Sequence, residues 1–349
     1  MASDVDVIVG EEQHFVQKVG NEADGEGRDC VASEGVRNGV LQVLLLSSIP
    51  RSGSTLLAEL LATTHHNSVL FFEPLSNHRK NPCYQDGSCV KDLLKSLFQC
   101  TYEQDFENWL KGKGLFLKYY HSSVRRCFQR PREGGGACRR ELALRSLCQN
   151  ATVRIAKVIR SRLSWLEGLL NDTLLQVKIV HLLRDPRASL TSIKQLGWKS
   201  EPLLRCQALE KDIQEYNELL IKYPSKVISL TQESFSVDPV ATTRDLHMFL
   251  YGNDILGTTT HQYLKEHMKA SGSRRLPGDT MDTHRNSREE HQAWRWKITG
   301  RLLKETEGEA ACRAVIAQMG HTLFGSLQNC RNSSYSLATH TNYAAGGSS

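Results

Sequence analysis

Residues 47–61 read SSIPRSGSTLLAELL. An apolar run from Val40 to Leu46 leads into Pro50-Arg51-Ser52-Gly53-Ser54-Thr55, and a helical pattern follows. A short apolar run bounded by turn residues reads as a buried strand, and the leucine-rich segment after it as a helix. The first N–H groups of a helix lack intrahelical partners and carry partial positive charge, so a strand–loop–helix forms a natural anion site. Gly53 lets the backbone approach a ligand closely, and Ser54 and Thr55 add hydroxyl donors. Arg51 adds a guanidinium fork that fits a phosphate or sulfonate face. The usual nucleoside-triphosphate spelling, G-x-x-x-x-G-K-[ST], is nevertheless missing. A plain strand-to-helix turn that contains Arg and Ser is the competing reading.

The same alternation continues outward from this loop. Further strands are expected near 69–73, 152–159, 177–183 and 227–230. Helices are expected near 92–99, 163–170, 186–195, 203–221, 240–250, 259–268, 291–304 and 310–319. Alternating strands and helices predict an α/β fold, a central parallel sheet flanked by helices. Ligands in such sheets bind at loops leaving the carboxyl ends of strands, here 49–54, 73–80 and 184–186. Residues 1–38 read as a disordered N-terminal arm, 39–328 as the folded domain and 329–349 as a flexible C-terminal tail.

The 349 residues carry a net charge of +6, with 40% hydrophobic and 23% charged residues. That composition fits a globular core, and the mild positive balance suits an anionic ligand without demanding nucleic acid. No apolar run has the length of a membrane span, and the first residues lack a signal-peptide pattern. The 10 cysteines contain no C-x-x-C pair, and nothing in the sequence suggests a metal site. Cys83 and Cys89, and Cys127 and Cys138, flank turn-rich segments that disulfides could close. Sequons stand at three positions, Asn150, Asn171 and Asn332, where chance alone supplies about two. Together they lean toward a secretory compartment.

A second loop resembles the first in kind. VHLLRDPRASLTSIKQ, residues 180–195, ends a strand at Arg184 and enters a helix at Pro186. Ser192 lies about two helical turns beyond, so Arg184 and Ser192 can converge on one phosphate. Asp185 is placed to cap the helix, and Arg187 reads as a surface charge.

The two loops together resemble those of the sulfotransferase superfamily, whose donor is 3′-phosphoadenosine 5′-phosphosulfate. Arg51, Ser52, Gly53, Ser54 and Thr55 match the family's 5′-phosphosulfate loop, and Arg184 and Ser192 its 3′-phosphate element. The resemblance explains the missing triphosphate spelling, because the family binds no γ-phosphate and needs no magnesium there. FFEPLSNHRK (71–80), KVIR (157–160) and THRNSREEHQAWRW (283–296) are similar to segments of the carbohydrate 6-O-sulfotransferases of galactose, N-acetylgalactosamine and N-acetylglucosamine. The family's Tyr-Glu-Asp-Leu stretch stands here as TQESF (231–235), and 102–150 has no clear counterpart.

The resemblance implies sulfuryl transfer to a glycan or proteoglycan hydroxyl, with Arg51 on the leaving phosphate and Glu73 as base. His78 is the alternative base, and a helix cap or salt bridge is the alternative role for Glu73. Arg285 and Ser287 are implied to close over the 3′-phosphate. Lys157 and Arg160 read as acceptor-side or structural, Trp294 and Trp296 as core, and His65 and His66 as a solvated turn. Acceptor choice is expected to lie chiefly within 76–150. The branch implies the Golgi lumen, with membrane attachment only through an anchor upstream of this sequence, and it permits a homodimer. A soluble cytoplasmic or secreted protein is the alternative. The rival functions are a tyrosylprotein sulfotransferase, a non-catalytic nucleotide- or glycan-binding relative, and a small-molecule kinase, the last disfavoured by the missing magnesium-holding loop.

Overall fold

The computed structural model describes residues 39–338 apart from 48, 79–84, 113, 129–134, 160 and 269–290. The expected arm at 1–38 and the last part of the expected tail, 339–349, lie outside the described residues, as do Arg160, Arg285 and Ser287.

Five strands form one wholly parallel sheet: β1 (Leu41–Leu46), β2 (Ser68–Phe72), β3 (Val153–Val158), β4 (Gln176–Leu183) and β5 (Val227–Thr231). Their order is β2-β3-β1-β4-β5, which puts β1 at the centre. The register pairs Leu46 with Val158 on one side and with His181 on the other. β1 is covered on both faces, so it reads as an apolar run broken only by Gln42, whose buried side chain accepts from Gln176 N–H. Val43 and Leu45 pack toward α1 (Ser54–Thr64), α12 (Pro239–Tyr251) and α13 (Thr258–Met268). Leu44 and Leu46 face the opposite layer, with α2 (Gly87–Gln99) and α10 (Pro202–Lys222).

Helices leaving neighbouring strands therefore diverge to opposite faces. The chain leaves β1 for the α1 layer, whereas beyond β4 it enters α9 (Pro186–Gln195) and then α10 on the other layer. A crevice opens at such a switch point, at the carboxyl ends of the strands.

The segment 102–150, blank in the sequence reading, folds into short helices: α3 (Gln104–Gly112), α4 (Gly114–Leu117), α5 (Ser122–Phe128), α6 (Gly135–Glu141) and α7 (Leu144–Asn150). They close the α2 layer through Phe106, Leu110, Tyr120 and Leu144. Disulfides join Cys100 to Cys148 and Cys127 to Cys138 around them, and Cys89 is disulfide-bonded as well. α8 (Glu167–Leu170) and α11 (Gln232–Val237) are single short turns after β3 and β5.

Three expectations are corrected. The helix expected over 291–304 breaks into α14 (Trp294–Lys297) and α15 (Gly300–Gly308), because Ile298 turns extended and Thr299 caps the next helix through Leu302 N–H. Of its two tryptophans, Trp294 is core, but Trp296 is 51% exposed. After α16 (Ala310–Gln318), the chain does not trail off at 329. α17 (Leu327–Arg331) buries Cys330, Leu337 packs into the same cluster, and Ala338 bridges to His321.

Candidate active site

The loop after β1 is pinned from below. Ile49 is fully buried among Leu183, Ile193, Leu209 and Ile213, and Ser47 Oγ donates to its carbonyl at 2.9 Å. Arg51 then takes φ 71° and Gly53 φ 86° before α1 begins. Left-handed backbone is strained for a residue with a Cβ, and such strain gathers at functional sites. Gly53 is required twice over, since a Cβ there would meet Gln232 Oε1 at 1.7 Å. Ser52 is fully buried, and its Oγ has no hydrogen-bond partner among the described residues. A buried hydroxyl at a helix N-terminus fits an anionic ligand that accepts from it. Ser54 is buried beside it, and Thr55 is half-buried.

The two loops that the sequence sets apart meet here. Arg51 Nε donates to Ser192 Oγ at 3.2 Å, and Arg184 Nη1 donates to the Arg51 carbonyl at 2.5 Å. Arg51, Arg184 and Ser192 thus share one side of the crevice, between the ends of β1 and β4.

Beneath Arg184 lies a buried charge cluster that the sequence did not reveal. Asp185 caps α9 by accepting from Arg187 N–H at 2.8 Å, as expected. Arg187 is no surface charge, because its side chain is fully buried. It pairs with Asp185 at 2.8 Å and Glu307 at 2.6 Å, donates to the Thr322 carbonyl, and lies between the rings of Trp294 and Phe324. His321 Nδ1 reaches Asp185 Oδ2 at 3.1 Å, and Glu233 Oε1 accepts from Asp185 N–H at 3.1 Å. Burial would raise Asp185, but Arg187 and His321 outweigh it and hold the carboxyl well below its usual range. Burial would lower His321, but Asp185 outweighs that and raises it. Glu233, wholly enclosed, is pushed up, chiefly by burial. Charges taken out of water persist only when paired in this way. The cluster fixes the turn that carries Arg184.

Glu73 stands at the carboxyl end of β2 with φ 53°, and its N–H donates to the Lys157 carbonyl across β3. Its carboxylate forms a buried ion pair with Lys157 Nζ at 2.5 Å, and Lys157 also lies over the Phe72 ring. The salt-bridge role weighed for Glu73 is therefore present. β3 lies between β2 and β1, so Glu73 and the Arg51 loop are separated by two strand spacings, about 10 Å. Lys157 stands on the strand between them. His78 ends a 3₁₀ turn over Pro74–His78, and its side chain lies outside the described residues. His65 is half-buried against the Tyr251 ring rather than solvated, whereas His66 is exposed.

Gln232, Glu233, Glu307 and His321 were missed as site-forming residues. TQESF was the signal for the first two, since it occupies the family's Tyr-Glu-Asp-Leu position. No local pattern marks Glu307 or His321.

No family model matches the chain. Carbohydrate sulfotransferase 3 of Rattus norvegicus is 23% identical over 374 residues, covering 90% of this chain and 75% of that protein. Carbohydrate sulfotransferase 1 of Homo sapiens is 21% identical over 358 residues, covering 86% and 84%. Among solved structures, a sulfotransferase domain from the Synechococcus PCC 7002 olefin synthase matches with a TM-score of 0.43 and 18% identity, over 81% of this chain and 97% of that one.

Proposed function

We propose that this chain, which belongs to the sulfotransferase superfamily and to its carbohydrate branch, transfers a sulfuryl group from 3′-phosphoadenosine 5′-phosphosulfate to the 6-hydroxyl of a glycan sugar. The observation that carries the reading is the meeting of Arg51, Arg184 and Ser192 at the head of α1. Two anion-binding elements converge there, and the donor carries phosphate at both its 3′ and 5′ positions.

In this reading the backbone N–H groups at Gly53, Ser54 and Thr55, with Ser52 Oγ, cradle the 5′-phosphosulfate. Arg184 and Ser192 take the 3′-phosphate. The acceptor oxygen forms the new S–O bond while the S–O bond to the 5′-phosphate breaks in line. Glu73 accepts the acceptor's proton, and Arg51 faces the charge that builds on the departing phosphate. Lys157 orients Glu73 and adds positive charge beside the transferred group. Positioning and charge neutralisation supply most of such catalysis.

Disulfides between Cys100 and Cys148, Cys127 and Cys138, and Cys206 and Cys312 support an oxidising compartment, and we assign the protein to the Golgi lumen. Among the described residues no helix is long and apolar enough to cross a membrane.

Radiolabelled donor offered with a panel of glycans and tyrosine peptides tests the reading. Label should enter a glycan, and linkage analysis should place it on the 6-oxygen. Label entering only the peptides would contradict it.

A further inference from the structure

The helix that begins at the Arg51 loop ends at a cavity of its own. α1 runs for 11 residues, about 16 Å, from Ser54 to Thr64. Just beyond it, His65 and His66 line a cavity of about 230 Å³. Ser68 lines it too, which places it at the amino-terminal edge of the sheet, where β2 begins. His121, Arg125 and Arg126 complete its basic lining from the start of α5. Drug-sized ligand sites hold about 300–1,000 Å³, so this cavity suits a small group rather than a nucleotide or an oligosaccharide.

The lining is one-sided in charge. No carboxylate among the described residues lines the cavity. Arg126 has no ion-pair partner among them, and Arg125 meets Glu59 only at 3.9 Å. Two guanidinium groups on one small cavity repel each other, and an anion between them relieves that repulsion. His121 adds a directed donor. The Ser123 N–H donates to His121 Nδ1 at 3.2 Å, and Ser123 Oγ lies 2.8 Å from the same atom. An Nδ1 that accepts leaves the ring proton on Nε2, which makes no hydrogen bond among the described residues. Burial and the nearby Arg126 hold His121 below its ordinary 6.5, in keeping with this neutral donor form. The carboxyl end of α1 would oppose an anion, but the Ala62 carbonyl already accepts from Ser68 Oγ at 2.8 Å. Both sides are braced. His65 packs on the Tyr251 ring with centroids 4.4 Å apart, and Cys127 of α5 is disulfide-bonded to Cys138.

We propose that this cavity binds a small tetrahedral oxyanion, a phosphate or sulfate group either free or esterified to a single sugar ring. Arg125 and Arg126 pair with its oxygens, His121 Nε2–H donates to it, and His66 stands at the exposed rim. The inference does not rest on the sulfotransferase reading, because none of these residues belongs to the two donor loops. It gives the chain a further anion site at the opposite end of α1 from the first.

Calorimetry on the full chain tests this, with the donor loops first filled by saturating 3′-phosphoadenosine 5′-phosphate. The probes are inorganic phosphate, inorganic sulfate, glucose 6-phosphate, glucose 6-sulfate and glucose. At least one anionic probe should bind about ten-fold or more tighter than glucose. Free ions that bind as well as the esters identify an ion as the ligand, and tighter esters identify a sugar ester. The double variant Arg125→Gln/Arg126→Gln changes two exposed side chains, so the fold should hold. It should weaken the anionic probes about ten-fold or more and keep wild-type affinity for 3′-phosphoadenosine 5′-phosphate. His121→Asn keeps an acceptor for the Ser123 N–H but removes Nε2, and should weaken them about three- to ten-fold. Anionic probes that bind no better than glucose, or a double variant that binds them as the wild type does, would overturn the inference. The difference between wild type and double variant reads this cavity alone. Failure of 3′-phosphoadenosine 5′-phosphate to bind would therefore overturn the donor reading and leave this comparison intact.

Discussion

Arg51 and Ser192, 141 residues apart, are joined by a hydrogen bond of 3.2 Å from the Arg51 side chain to the Ser192 hydroxyl. The contact ties the loop before α1 to the second turn of α9. Ser192→Ala removes it together with the hydroxyl assigned to the donor's 3′-phosphate. Hydrogen bonds to charged groups are worth about 1.5–3 kcal/mol, so affinity for 3′-phosphoadenosine 5′-phosphate should fall roughly ten- to hundred-fold. Calorimetric titration checks this, and unchanged affinity would remove Ser192 from the site.

Gly53→Ala should be more damaging than its size suggests. The new methyl meets Gln232 Oε1, and φ 86° costs an L-residue about 1–2 kcal/mol. Donor binding should drop sharply. Adding Gln232→Ala should recover part of it, because the clash is relieved while the backbone strain stays. No recovery would mean that Gln232 does not set the loop's clearance.

The Glu73–Lys157 pair separates stability from turnover. Lys157→Met breaks a buried ion pair and should cost about 3–5 kcal/mol in urea unfolding. Glu73→Gln placed on top of it should restore much of that loss. Glu73→Gln alone should keep donor binding and lower kcat by about 10²–10⁴. A variant that loses donor binding along with turnover would make Glu73 a structural residue.

The legible and illegible parts of this chain divide by the range of the interactions that make them. β1 and β4 are buried on both faces, so their apolar runs announce them, and Pro186 and Asp185 announce the start of α9. The loop after β1 is equally local. The Asp185, Arg187, Glu307 and His321 cluster is not, because its members come from distant turns and charged residues are seldom fully buried. Arg187 looks like any surface arginine until Trp294 and Phe324 close over it. α3 to α7 escaped because each is short and anchored by only a few apolar residues, such as Phe106 and Leu110 in α3, with no sustained period.

That same cluster gives the fold a pH dependence. His321 is raised in the folded state above its ordinary 6.5. A raised histidine contributes stability that is fully present below its unfolded pKa and is lost as pH rises through the folded one. Stability should therefore decline on the alkaline side of about pH 6.5. Asp185, held below its ordinary 3.8, contributes stability present above that value and lost as pH falls. Urea midpoints measured from about pH 6 to 9 should slope downward for the wild type and lie flatter for His321→Gln. Parallel slopes would show that His321 does not carry the dependence.

The most direct test of the central claim compares two ligands that differ in one phosphate. Adenosine 5′-phosphate and 3′-phosphoadenosine 5′-phosphate are titrated against wild type and Arg184→Ala by calorimetry. The wild type should prefer the ligand with the 3′-phosphate by roughly ten- to hundred-fold. Arg184→Ala should erase the preference while the affinity for adenosine 5′-phosphate changes little. Equal affinities in the wild type, or a preference that survives in Arg184→Ala, would contradict a donor site built from these two loops.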